Sequence, residues 1–91
     1  MANDVFEKRF PARDSAAVAA LAANVRRLRK LRGWTQDRLA SELGIEQNAV
    51  SLLENGRANP TLLMMESIAR AFEVRLTELF APPSRARKTK G

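Results

Sequence analysis

The chain has 91 residues, a formal net charge of +6, and neither Cys nor His. That length suits one domain with a modest core, and the composition excludes disulfides and thiolate metal sites and removes the usual zinc ligands and the commonest general base. No metal, cofactor or enzymatic activity is therefore expected. No apolar run approaches the roughly 20 residues that span a bilayer, and MANDVFEKRF lacks the apolar centre of a secretory signal, so the expected setting is the cytoplasm, without membrane contact.

Helical periodicity runs through the chain and no strand pattern stands out, so the expected class is all-α, a compact five-helix bundle. Residues 1–14 read as a flexible N-terminal segment, 15–81 as the folded domain and 82–91 as a disordered basic tail. Asp14 or Ser15 can cap a first helix running to about Arg32, with Val18, Leu21, Ala22, Val25 and Leu28 on one stripe and Gly33 as a left-handed stop. Thr35 can cap a second, Gln36 to Leu43, with Leu39, Ala40 and Leu43 inward and Gly44 in the following turn. A third runs from Glu46 or Gln47 to Asn55, burying Ala49, Val50 and Leu53 before Gly56. Thr61 can cap a fourth, through Phe72, on a core stripe of Leu62, Met65, Ile68, Ala69 and Phe72, and Leu76 to Phe80 suggest a short fifth. The charge is uneven: residues 82–91 carry Arg85, Arg87, Lys88 and Lys90 without an acid, and residues 1–14 balance three bases against three acids, so the domain itself holds only +2. Basicity alone is thus a weak pointer to nucleic acid.

Arg29 follows Val25 at i+4 and Glu54 follows Val50 at i+4, which places a cation and a carboxylate on the apolar sides of two helices. A lone buried charge costs several kcal/mol, so the two are expected to form a structural ion pair joining the first helix to the third. Trp34, beside a Gly turn, reads as a packing residue, since the interleaved aromatics of a single-strand binder are missing.

The stretch LRxxRGWTQxxLAxxLGIxxxxVSxxENGxxxP, from Leu28 to Pro60, resembles the helix-turn-helix domain of lambdoid phage repressors, Cro proteins and Xre-type regulators, and the likeness extends over about residues 21–80. It implies that the third helix is a recognition helix lying in the major groove of double-stranded DNA. Gln47, Asn48, Ser51, Leu52 and Glu46 would then read bases. Gln36, Asn55 and Arg57 would hold phosphates, with Arg26, Arg27, Lys30, Arg32 and Arg38 raising the local potential. The chain departs from the family pattern at Glu46, where a Ser or Thr cap is common, at Glu73, where Gly often closes the fourth helix, and at Leu52, where a polar base reader is usual. Leu63 and Met64 fall off the core stripe of the fourth helix and, with Leu76, Leu79 and Phe80, are candidates for a dimer interface. The expectation is a transcriptional regulator binding a short palindromic operator as a homodimer, similar to controller proteins of restriction systems or phage switches. The alternative is an antitoxin, or another module that grips an unknown partner protein and also binds DNA.

Overall fold

Ser15 opens the first helix by accepting a hydrogen bond from the Val18 amide at 3.2 Å, and the computed structural model, which describes residues 14–82, carries this helix, α1, over Ala16–Leu31. Gly33, at φ +70°, supplies the left-handed conformation that lets the chain reverse. Thr35 caps α2, Gln36–Leu43, through a 3.0 Å bond from the Arg38 amide. Gly44 ends α2 in the left-handed region while the Ile45 amide reaches back to the Ala40 carbonyl at 3.0 Å. The next helix, α3, spans Gln47–Glu54, and Glu46 at its cap position makes no side-chain capping bond. Thr61 caps α4, Leu62–Phe72, by a 3.0 Å bond from the Met64 amide, and Glu73 closes it at φ 58°. A side chain in that region crowds its own carbonyl, at a cost of roughly 1–2 kcal/mol.

The expected short fifth helix is present over Leu76–Phe80 and winds as a five-residue 3₁₀ helix. Two features hold it to the tighter winding. Pro82 favours the extended conformation seen at Ala81 (ψ 148°), which stops further winding. The Asn24 side-chain amide donates to the Leu79 carbonyl at 2.9 Å and the Ala81 carbonyl at 2.8 Å, fixing the end of the turn against α1.

The core draws on all five elements: Leu21 and Val25 of α1, Leu39 of α2, Val50 and Leu53 of α3, Ile68, Ala69 and Phe72 of α4, and Leu79. The fourth helix turns its inward face later than its periodicity suggests. Leu62 stands 59% exposed at the first residue, whereas Met64, expected off the stripe, packs against the core. Among the expected dimer contacts, Leu79 is corrected: it is wholly buried within its own chain, because the 3₁₀ winding and the Asn24 bonds draw it between α1 and α4. The flexible ends expected from the sequence lie, but for Asp14 and Pro82, outside the described residues.

Candidate nucleic-acid interface

Glu54 is buried at the last residue of α3, and its carboxylate organises the surface above it. Arg29 grips it with two bonds, Nε to Oε2 at 2.6 Å and Nη2 to Oε1 at 3.0 Å, the parallel geometry that suits a guanidinium and a carboxylate. The hydrogen bond to Glu54 raises the Arg29 pKa above its ordinary value; burial opposes this and the Glu54 charge adds to it. Arg29 Nη1 also donates to the Trp34 carbonyl at 2.8 Å, so one side chain joins α1, the turn after it and α3.

The same carboxylate reaches outward. Gln36 Nε2, at the first residue of α2, donates to Glu54 Oε1 at 3.0 Å, and Gln47 Nε2, at the first residue of α3, donates to Gln36 Oε1. A continuous chain of bonds, Arg29 to Glu54 to Gln36 to Gln47, therefore runs from the core to the exposed start of α3. A side chain held this way has given up rotamer freedom before any ligand arrives.

Around Gln47 the surface is polar and open. Glu46, Gln47 and Asn48 are exposed, while Ser51 and Leu52, one turn on, are half-buried. Asn55 is exposed but folds back onto α3, its Nδ2 donating to the Ser51 carbonyl at 2.8 Å and to Ser51 Oγ at 3.4 Å. Arg57 is half-buried, and its amide closes the end of α3 by bonding to the Leu52 carbonyl at 2.9 Å.

Several flanking cations have intramolecular partners. Arg38 lies 4.8 Å from the Trp34 ring centre and pairs with Glu42 at 2.9 Å. Arg32 lies 5.6 Å from the same ring and donates to the Phe72 carbonyl. Trp34 itself stacks on Phe72 with centroids 5.6 Å apart, which makes it a packing residue with two guanidinium neighbours. Arg26 donates to the Glu54 carbonyl at 3.2 Å, and Arg27 to Asn24 Oδ1 at 3.2 Å. Lys30 is exposed.

Of the residues considered for a dimer face, Leu63 is 75% exposed and Phe80 37%, whereas Met64 and Leu76 are half-buried against the core. The sequence reading passed over Asn24 and the bond joining Gln36 to Gln47. Asn24 could have been found: a polar residue three after Leu21 and four before Leu28 sits on the apolar stripe of α1. The glutamine pair depends on two helix starts meeting in space.

A family model described as helix-turn-helix matches residues 25–79. An uncharacterised helix-turn-helix-type transcriptional regulator of Archaeoglobus fulgidus is 38% identical over 56 residues, 62% of this chain and 80% of its own. The antitoxin HipB of Escherichia coli is 37% identical over 57 residues, 63% of this chain and 65% of its own. Among solved structures, the hypothetical transcription factor NHTF from Neisseria aligns at a TM-score of 0.73 and 36% identity, over 80% of this chain and 84% of that one. The restriction-modification controller protein C.AhdI from Aeromonas hydrophila aligns at 0.68 and 29% identity, over 72% of this chain and 100% of that one. The family match takes in more than half of the residues, including every element that frames the Gln36 and Gln47 surface, and the chain belongs to the Xre-type helix-turn-helix family of DNA-binding transcriptional regulators.

Proposed function

We propose that this protein regulates transcription by binding a short two-fold-symmetric duplex site as a homodimer, with α3 of each copy in the major groove. The observation that carries the reading is the bonded chain from Arg29 to Gln47, which holds the Gln47 amide at the open start of α3, where a base reader would be needed. After donating one hydrogen to Gln36, the Gln47 amide keeps an N–H and its carbonyl oxygen, the pair that adenine N7 and N6 require. Asn48 can make a similar pair, Ser51 can bond a base or phosphate, and Leu52 can meet a thymine methyl. Glu46 can accept from a cytosine amine. Gln36, Asn55 and Arg57 would anchor the backbone without reading sequence. The two copies would present their α3 helices about 34 Å apart, one helical turn of DNA, and the exposed Leu63 and Phe80 are the surface residues offered for pairing.

Selection of bound sequences from random duplex DNA at near-physiological salt, with the oligomeric state measured in parallel, tests this. Enrichment of a palindrome with half-sites about ten base pairs apart, bound by two copies, is the expected result. Salt-sensitive binding without enrichment would overturn it.

The likeness to HipB, an antitoxin, and the exposed Leu62 and Leu63 favour a second reading, in which the same domain also holds a partner protein. Co-expression with the product of an adjacent gene, followed by purification, separates the two: a regulator acting alone elutes as its own dimer.

A further inference from the structure

A pocket of about 310 Å³ opens at the end of α3, between Ala19, Ala22 and Arg26 of α1 and Glu54, Asn55 and Gly56. Ala19, Ala22 and Arg26 fall at i, i+3 and i+7 on one stripe of α1, so two small side chains leave room beside a long cation. Arg26 Nη2 donates to the Glu54 carbonyl at 3.2 Å. That bond sets a positive charge at the negative end of the α3 dipole, where α3 has no basic residue in its own last turn. A guanidinium carries five N–H donors, and this bond accounts for one. Arg29, Arg32 and Arg38 each pair with an acid, whereas Arg26, which is exposed, pairs with none among the described residues. The acid lining the pocket, Glu54, is buried and already bonded by Arg29. The pocket therefore offers an uncompensated cation with donors to spare, which suits an oxyanion.

We infer that this pocket takes a phosphodiester of the DNA backbone with Arg26 as its charged ligand, a role that rests on the reading of α3 as the helix in the major groove. Gln47, Ser51 and Asn55 follow one another at i, i+4 and i+8, so the stripe that begins at the open start of α3 ends at the pocket, which Asn55 lines. From Gln47 to Asn55 is roughly 12 Å of helix, and the major groove is about 12 Å wide. A helix whose start meets base edges thus brings its end to the phosphate wall. Arg26 is already held at one point by the Glu54 carbonyl and gives up little further freedom on binding. Such a contact aligns α3 in the groove without reading sequence.

Arg26→Gln removes the charge but keeps an amide donor for the Glu54 carbonyl, which separates anchoring from capping. The full chain is titrated with the selected duplex over a range of salt, then with the same duplex carrying one uncharged methylphosphonate at each backbone position in turn. Arg26→Gln should bind about tenfold more weakly and lower the slope of log K against log salt by about one for each bound copy, with the helical circular dichroism of the free protein unchanged. Arg26→Lys should keep the slope. At one phosphate in each half-site, methylphosphonate should weaken the wild type and leave Arg26→Gln unaffected. An unchanged slope in Arg26→Gln, with Arg57→Ala lowering it, overturns the inference and leaves α3 in the groove. Equal sensitivity of both proteins at every phosphate also overturns it, since Arg26 would then act only through the general field. Failure of the wild type to select any duplex removes the reading of α3 itself, and this role of Arg26 with it.

Discussion

Arg29 and Glu54 show how a buried charge becomes tolerable: the carboxylate, almost without solvent, receives two guanidinium bonds and one amide bond. Removing the cation leaves the carboxylate buried with only Gln36 on its side-chain oxygens. Arg29→Ala should destabilise the fold by roughly 3–5 kcal/mol. For a domain of this size each kcal/mol moves the melting temperature by about 4–8 °C, so calorimetry reads the loss directly, and an unchanged Tm would mean that Glu54 is hydrated. Asn24 is a second polar residue with a structural task. Asn24→Ala leaves the Leu79 carbonyl without its buried donor and should cost about 1–3 kcal/mol by chemical denaturation. Arg29 and Glu54 were legible from their i+4 spacing to Val25 and Val50. The reach from Glu54 through Gln36 to Gln47 was not, because that link lies between helices whose approach no local pattern encodes.

At the scale of elements, the hydroxyl caps and left-handed glycines carried most of the information. Ser15, Thr35 and Thr61 each bond the amide three residues on, and Gly33, Gly44 and Gly56 each take φ +70°. The fifth element was legible at its bounds, Leu76 to Phe80, but not as a 3₁₀ winding, because the sequence shows only its apolar residues. What winds it as 3₁₀ is a tertiary clamp from Asn24 and the Pro that follows. For the same reason Leu79 looked available to a partner when it is part of the core. Glu46 is the weak cap of the set: its backbone is extended and it makes no side-chain capping bond. Glu46→Ser should place a hydroxyl at the start of α3 and stabilise the protein by about 0.5–1 kcal/mol. A fall in stability on equilibrium denaturation would show that Glu46 has another role in the fold.

At the scale of the whole molecule, all five described elements share the core, and α2 and α3 in addition present their starts to solvent side by side. Net charge contributes less than the overall +6 suggests, since Arg32 and Arg38 are engaged with the Trp34 ring and with acids of their own chain. Backbone anchoring is expected to be general rather than selective. Arg57→Ala should weaken binding to every duplex alike and lower the slope of log K against log salt by about one. A sequence-dependent loss would move Arg57 from anchoring to reading.

The central claim is that Gln47, held by Gln36 over the buried Glu54, reads a base. It is tested most directly by measuring Kd for the wild type and Gln47→Ala on the selected site and on each of its single base-pair variants, at one fixed salt concentration. The account predicts a loss of about 1–3 kcal/mol on the intact site that disappears on the variant lacking one particular base pair, with non-specific affinity unchanged. An equal loss on every duplex would contradict it.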